Sequence, residues 1–387
     1  MATATAATHP LRVGLVGCGN VALTDHLPAY LALPDRYTVV AVADPNEERR
    51  AMGRRMAGLA EADAHADARA LLARDDLDVI DLSTPQHVRR DLAIEALESG
   101  RHVLSEKPLA TVPADARRMV DAAAAAGVRL GIVHNYLFFP EIRRTLDLIA
   151  AGEIGPVEVA ILDWLGCDDN PGNAAYQPWW RHDPKAAGGG VLMDMLHIVY
   201  VAEALLGAPI ERVSGWVTTR RRPFPVEEIA LARFETGDAA ALVNVGWGRG
   251  PGGFAVSGPD GRIEVRYEDG GSGAFAPFEA LELVGRSGRR TERDLAPVDG
   301  ILAIVRDFAD AIRDGRPPIA PGEQALHVLE ATLAVYLSAA TGTLVELPLP
   351  TDHPVWREGV TGLAALDLPR WSAVARGGMY GIGTSKE

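Results

Sequence analysis

Three side chains in this sequence, Lys107, Asp194 and His197, are of types that move protons, and each stands beside a local signal that fixes it. Lys107 lies in Glu106-Lys107-Pro108, and a residue before proline is held to extended backbone. A lysine fixed at a strand end can hydrogen-bond a reacting oxygen, and a nearby cation lowers its pKa. A solvated strand-end lysine is the plain alternative. Asp194 and His197 follow Gly188-Gly189-Gly190 and stand three residues apart on one expected helix, hence on one face. A carboxylate beside an imidazole suits proton transfer to a substrate oxygen; a helix-capping aspartate and a core histidine would look the same. The three glycines let the backbone approach something closely, a cofactor or another domain.

A second set of residues suits a dinucleotide. The apolar run Leu11–Val16 leads into Gly17-Cys18-Gly19-Asn20-Val21-Ala22, a G-x-G-x-x-A turn. Gly17 permits the tight turn, Gly19 lets backbone approach a pyrophosphate, and Ala22 allows close helix–strand packing. The helix N-terminus that follows offers free amides to the phosphates. Asp44 ends the second apolar run, where a carboxylate can accept both adenosine ribose hydroxyls. It also repels a 2′-phosphate, by roughly 3 kcal/mol per charge at about 5 Å and an effective dielectric near 20. NAD is therefore expected in preference to NADP. Arg49 and Arg50 lie farther into the next helix and keep NADP open. Ser83, Thr84, Pro85 and His87 leave the carboxyl end of one strand, and Glu106 and Lys107 leave the next. Ligands of open α/β sheets sit outside such ends.

The elements that must position these residues follow from periodicity. Strands are expected at Leu11–Val16, Tyr37–Ala43, Val79–Ser83, His102–Ser105 and Val128–His134, with helices between them at about Asn46–Gly58, Gln86–Glu98 and Ala114–Ala126. Such alternation with short joins implies a parallel sheet covered on both faces. Beyond residue 135 the rhythm changes to helix Glu141–Ala151, strand Val157–Trp164, a turn-rich stretch Gly166–Gly190, a helix Val191–Leu206, and several strands from Ile210 to Val284. Helices at about Leu302–Arg313 and Glu323–Ala340 are expected to close this half. The fold class is α/β: a Rossmann domain over 11–135, then an α+β domain over 136–350 with a large, mostly antiparallel open sheet. Residues 1–10 read as a disordered tail and 351–387 as a C-terminal extension.

Composition narrows the partners. Of 387 residues, 52 are acidic and 38 are lysine or arginine, a formal net charge of -14. Nucleic acid or an anionic membrane would repel that charge, so neither is expected as a partner. Two distant cysteines, Cys18 and Cys167, build neither a disulfide framework nor a metal site, which suits a reducing, cytoplasmic compartment. No run approaches the roughly 18 apolar residues of a membrane span.

Taken together, Gly17-Cys18-Gly19 with His26 downstream, Thr84-Pro85, Glu106-Lys107-Pro108, and Gly188-Gly189-Gly190 to Asp194 resemble the glucose-fructose oxidoreductase / inositol dehydrogenase / rhizopine-catabolism (Gfo/Idh/MocA) family over about residues 11 to 350. The resemblance implies an NAD(P)-dependent dehydrogenase acting on a hydroxyl or ketone of a sugar, glycoside or cyclitol. It implies a homo-dimer or homo-tetramer built through the C-terminal sheet. It maps the family's lysine to Lys107 and its aspartate to Asp194, and places Gly17, Cys18, Gly19, Asn20, Val21, Asp44, Ser83, Thr84, Pro85, His87, Glu106 and Lys107 around the cofactor. The substrate would meet Lys107, Asn135, Tyr136, Trp180, Arg181, Asp194 and His197. Three departures stand out. The family histidine falls at Ile198, so His197 is one residue early; Leu196 fills a place usually held by glycine; and Arg89 stands where a histidine is common. His182, His134, Tyr136 and Tyr200 are reserves for the acid/base. Indole faces of Trp179 and Trp180 suit stacking on sugar rings, and Arg181 with Asp183 suits hydroxyls or an acidic group. The alternative function is a catalytically inactive dinucleotide- or sugar-sensing regulator of the same fold.

Overall fold

The computed structural model describes residues 9–167, 169, 179–220, 225–248, 250–268 and 277–369. Most of the expected 1–10 tail, Pro171 and Pro178 of the turn-rich stretch, and residues 370–387 of the C-terminal extension lie outside them. The chain divides into two compact units.

The first unit runs to Ala110 and adds Asp115–Asn135 and Asp299–Leu326. Its sheet has six strands: β1 (Leu11–Val16), β2 (Tyr37–Ala43), β3 (Ala64–His65), β4 (Val79–Leu82), β5 (His102–Ser105) and β6 (Leu130–Ile132). The order is β3-β2-β1-β4-β5-β6, and every pair is parallel. The chain reverses its direction of travel across the sheet between β1 and β4, so the crevice at the carboxyl ends of those strands is the ligand position of this topology. Near-continuous Val, Ile and Leu runs produce it, because strands buried on both faces need no polar alternation; all four residues of β4 are buried. The helix Glu47–Met56 starts where expected, its first turn capped by Asn46 Oδ1 accepting from the Arg49 amide at 3.0 Å.

The helix Gly300–Asp314, expected to close the second half, groups with the first unit. Its apolar stripe, including Ile304, Val305 and Phe308, is buried. Gly131 of β6 leaves room for the Phe308 ring, which a Cβ there would meet at 2.7 Å. Tyr37 Oη donates to the Val305 carbonyl at 2.8 Å. Amphipathic periodicity announces that such a helix needs a core but not which of two cores takes it.

The second unit holds Thr111–Ala114, Tyr136–Val298 and the residues from His327 on. Its nine strands are β7 (Val159–Cys167), β8 (Arg212–Thr218), β9 (Ile229–Thr236), β10 (Ala239–Trp247), β11 (Gly252–Gly258), β12 (Gly261–Tyr267), β13 (Phe278–Gly285), β14 (Gly288–Glu292) and β15 (Val345–Glu346). They lie in the order β14-β13-β12-β11-β7-β10-β9-β8-β15. Among the described strands of this sheet, β7 and β10 alone pair in parallel. One face is covered by the helix His197–Leu206 against β7 and β10, and the helix Gly322–Thr341 meets the sheet at β8. Gly215 of β8 donates its amide to Ser338 Oγ at 3.0 Å, and a Cβ there would strike Val335 at 2.5 Å. On β7 the alternation is clean: Ala160 and Leu162 are buried while Val159 and Ile161 are exposed. No single helix among the described residues is long and apolar enough to cross a membrane.

Candidate active-site residues

In the first unit the chemistry gathers at the carboxyl ends of the parallel strands. Gly17 follows β1 with φ +93°, and a Cβ on it would lie 2.6 Å from the Ser83 carbonyl. Only glycine fits that turn. Above Gly19 the space is open. Helical backbone begins at Asn20, so Asn20, Val21 and Ala22 carry the first amides of the helix. Asp44 is fixed by its own fold: Oδ2 accepts from the Cys18 amide at 2.7 Å and Oδ1 from the Asn46 amide at 2.8 Å. Arg50 turns back to donate to the Asp44 carbonyl at 2.8 Å, so it lies nearer this corner than its place in the helix implied. Burial, with the Asp44 charge, pushes the Cys18 thiol up to about 12, so it stays protonated and inert. The open glycine turn, the helix start and the anchored carboxylate fit an adenine dinucleotide.

Glu106 and Lys107 leave β5. The Lys107 amide donates to Glu106 Oε2 at 2.9 Å, and the Lys107–Pro108 bond is cis. Arg89, the departure noted above, is buried under this turn. Its guanidinium donates to the carbonyls of Thr84, Glu106 and Pro108. It ties the turn after β4 to the turn after β5, and a histidine could not span the three. Ser83 Oγ donates to Asp81 Oδ1 at 2.6 Å, while His87 is exposed on the first turn of Gln86–Glu98.

In the second unit, Asp194 and His197 do not share a helix. The chain forms a four-residue helix, Val191–Asp194, breaks at Met195 and Leu196, and begins a new one at His197; the segment Pro184–Asp194 and the helix His197–Leu206 are bent by 49°. The expectation of a common face is corrected by that break. Asp194 accepts from both terminal nitrogens of Arg181, at 2.9 and 2.6 Å, and from Trp247 Nε1 at 3.2 Å. Arg181 therefore serves Asp194, and Asp183, expected to work beside Arg181, instead caps the helix Pro184–Ala187 through the Lys185 and Ala186 amides. His182 Nε2 lies 2.8 Å from Asp169, and its ring meets Trp247 edge-on. His197 is nearly buried. Its ring stacks on Tyr136 with centroids 4.2 Å apart, and Nδ1 lies 2.6 Å from Tyr200 Oη. Tyr200 Oη in turn accepts from the Tyr136 amide at 3.2 Å. With Tyr200 as donor, Nδ1 accepts and Nε2 carries the ring proton. Asn135 and Tyr136 open a short 3-10 turn, and Tyr136 itself is buried.

The glycines before Asp194 are needed by this unit's own packing. A Cβ on Gly189 would lie 2.3 Å from Tyr336 Oη and one on Gly190 2.1 Å from the Glu227 carbonyl, so the close approach is to these groups. Glu227, fully buried, accepts from the Gly190 amide at 2.8 Å, the Leu192 amide at 2.9 Å and Tyr336 Oη at 2.9 Å. It holds the start of the short helix that ends in Asp194. Among the described residues no group of three or more His, Cys, Asp or Glu side chains is arranged to hold a metal ion.

Residues 11–134 match the family described as "Oxidoreductase family, NAD-binding Rossmann fold", and residues 142–271 match the GFO/IDH/MocA C-terminal domain. The chain belongs to the Gfo/Idh/MocA family. A dTDP-3,4-didehydro-2,6-dideoxy-alpha-D-glucose 3-reductase from Streptomyces violaceoruber is 30% identical, over 78% of this chain and 85% of its own. A D-xylose 1-dehydrogenase (NADP(+)) 2 from Haloferax volcanii is 28% identical, over 86% of this chain and 99% of its own. The structure of the WlbA dehydrogenase from Bordetella pertussis, in complex with NADH and UDP-GlcNAcA, superposes with a TM-score of 0.74 at 26% identity, covering 88% of this chain and all of the other. The first unit is thus an NAD-binding Rossmann domain, and the chain is an NAD(P)-dependent oxidoreductase acting on CH–OH groups.

Within this Gfo/Idh/MocA chain, the structure adds residues that sequence reading passed over. Asp81 sits inside the apolar run of β4, where a lone carboxylate is itself a signal, since charged residues are almost never fully buried unless paired. Glu227 had no local signal; only the fold brings it to Gly190.

Proposed function

We propose that this enzyme transfers a hydride between NAD(H) and a secondary hydroxyl or ketone of a sugar, glycoside or cyclitol. The observation that carries the reading is the built turn at Lys107, a lysine at a strand end of a nucleotide-binding sheet, with its amide held by Glu106 and its neighbours' carbonyls held by Arg89. The nicotinamide accepts or supplies the hydride. Lys107 Nζ takes the hydroxyl proton, or returns it to the carbonyl oxygen. Arg181, Asp194, Trp180, Asn135 and Tyr136 are assigned to the substrate, with His197 as second acid/base. Buried beneath Tyr136, His197 acts through the Nε2 proton.

Asp44 supports NAD over NADP, because a carboxylate already held by two amides does not turn away from a 2′-phosphate. The exposed face of the nine-stranded sheet supports a homo-oligomer. Val159, Ile161, Trp216, Leu231 and Leu242 on adjacent strands are 37–49% exposed, and contiguous apolar surface of this kind suits a second copy of the chain. The two buried cysteines and the acidic surface charge fit a protein of the cytoplasm.

A screen of sugars, glycosides and inositols with NAD and NADP, following absorbance of the reduced cofactor, tests the reaction. Turnover with a sugar or cyclitol is expected, with the lower Kd for NAD. Tight binding of NAD and a sugar without turnover would favour the sensing regulator. With a confirmed substrate, Lys107→Ala is expected to keep NAD binding and lose at least about a hundredfold in kcat.

A further inference from the structure

Behind the Lys107 turn lies a buried polar cluster that the proposed reaction does not use. His26 is fully buried in the first unit. Its Nδ1 lies 2.8 Å from Asp81 Oδ2 and its Nε2 3.1 Å from Glu106 Oε1. Asp81 also accepts from Tyr30 Oη at 2.8 Å and from Ser83 Oγ at 2.6 Å. His26, Tyr30 and Ser83 thus converge on the two oxygens of Asp81, an arrangement in which the carboxylate accepts from all three. Glu106 receives the Lys107 amide on its other oxygen at 2.9 Å. An ionised carboxylate only accepts hydrogen bonds, so a ring with a carboxylate on each nitrogen donates from both and is an imidazolium.

The helix is distorted to deliver that ring. Residues Ala22–His26 form a π turn, closed by the Leu27 amide donating to the Ala22 carbonyl. Pro28, next in line, has no amide to give. A π turn inserts an extra residue into the helical repeat and re-aims the side chains around it, and such turns concentrate at functional sites.

We propose that His26 is a positioning residue: held as an imidazolium between Asp81 and Glu106, it fixes Glu106 and thereby the Lys107 turn, and its charge offsets the two carboxylates where Lys107 exchanges a proton. This deepens the reading of Lys107 given above and rests on it. The charge count is simple. Over His26, Asp81 and Glu106 alone, one charge of +1 and two of -1 leave -1; the buried Arg89 guanidinium adds a +1 that is the same in every variant below. The other groups that face the cluster are Arg89 on the helix Gln86–Glu98, Tyr30 on the helix after His26, Tyr37 on β2, and His134 after β6. Burial alone would strip the proton from His26, but the charges of Asp81 and Glu106 and the hydrogen bonds to them push it up to about 10. The same imidazolium holds Glu106 below the usual carboxylate range despite its burial.

Removing the imidazolium takes these three groups to -2 and favours the charged form of Lys107; removing the Glu106 charge takes them to zero and disfavours it. The chain has three lysines, Lys107, Lys185 and Lys386, so ¹³C-dimethylated lysine resonances of the full protein with saturating NAD can be titrated one by one. His26→Asn is expected to raise the Lys107 midpoint by about one unit or more, and Glu106→Gln to lower it by a similar amount. The double variant, again at -1, returns it to within about half a unit, and Lys185 stays put throughout. Nitrogen NMR of labelled histidine is expected to show protons on both His26 nitrogens at pH 7. A singly protonated ring, or a Lys107 midpoint unmoved in the variants, overturns the proposal. Should His26→Asn fail to fold, the direction of the shift in Glu106→Gln decides alone. Near-normal turnover in Lys107→Ala would instead sink the catalytic reading of Lys107 and leave the titration coupling standing, so the two failures are separable.

Discussion

The first unit and the second both hold carboxylates in place beside their candidate site residues, and they do so by different means. Asp81 lies on β4 and Glu106 directly follows β5, its amide donating to the Leu82 carbonyl at 3.0 Å, so main-chain bonds already set the spacing between them. The side chains need only complete a frame the sheet has drawn. Asp194 ends a four-residue helix that belongs to no sheet. Its place depends on a buried side chain, Glu227, gripping the start of that helix, and its direction depends on Arg181 and Trp247. A carboxylate carried by a sheet inherits the sheet's rigidity. One carried by a short helix needs a dedicated anchor, and that anchor should be the more sensitive place to mutate.

The largest expected effect therefore falls on Glu227. Glu227→Ala leaves the Gly190 and Leu192 amides and Tyr336 Oη facing a dry cavity, at about 1–3 kcal/mol for each unmet group. A loss of about 3–5 kcal/mol in urea unfolding is expected for the second unit's transition, with Glu227→Gln clearly milder because an acceptor remains. A loss under about 1 kcal/mol would show that the Asp194 helix is held by packing alone and would erase the contrast between the units.

A smaller effect sharpens the contrast from the other side. Arg181 neutralises Asp194 through two hydrogen bonds in a pocket where neither side chain is more than 19% exposed. Arg181→Ala frees Asp194 to change its direction while its helix stays anchored. With a confirmed substrate, KM should rise about tenfold with kcat falling less, about 1.4 kcal/mol of binding lost. A fall in kcat with KM unchanged would instead place Arg181 in the transition state.

What could be read in advance follows the same division. Strands β1, β2 and β5 and the helix Gln86–Glu98 lie where apolar runs and turn residues placed them, because a strand buried on both faces is a local pattern. The two-residue β3 carries too few residues to show a period. In the second unit β14 was passed over, since its Gly288-Arg289-Arg290-Thr291-Glu292 offers no apolar alternation. The break after Asp194 was invisible because Met195 and Leu196 continue an apolar helical pattern. The turn at Gly17 and the place of Asp44 at the end of β2 are legible by spacing, and the strand-end place of Lys107 by the proline that follows it. Arg89 was legible only as an oddity; its task, joining three carbonyls from two turns, exists only after folding. Asp81 shows the general lesson: a charge inside an apolar strand announces a buried partner but does not name it, and here the partner lies 55 residues away in sequence.

The last expected effect is spread over several pH units: a pH dependence that the histidines of the first unit impose on its stability. His134 is fully buried, and burial with the nearby Lys107 charge pulls it down to about 3. His102 accepts the Arg129 amide on Nδ1 at 2.9 Å, and burial with the Arg129 charge pulls it down to about 4. An unfolded histidine titrates near 6.5, so the unfolded chain binds more protons than the fold between about pH 4 and 6.5. The stabilisation from these two is complete above about 6.5 and is lost as pH falls. His26, held near 10, has the opposite sign: the fold binds the extra proton, so its contribution is complete below about 6.5 and is lost as pH rises toward 10. Each histidine contributes a slope of up to about 1.4 kcal/mol per pH unit. The stability of the first unit should therefore peak near pH 6.5, falling more steeply on the acid side, where His102, His134 and His65, also lowered by burial, act together, than on the alkaline side. In the second unit His327 is also raised, its bond to Glu203 outweighing the burial, so it adds to the alkaline limb. Urea unfolding from pH 5 to 9, repeated with His26→Asn, separates the two. The variant should lose the part of the alkaline slope that His26 supplies and keep the acid one. An alkaline slope unchanged in the variant would place the extra proton of the native state elsewhere than His26.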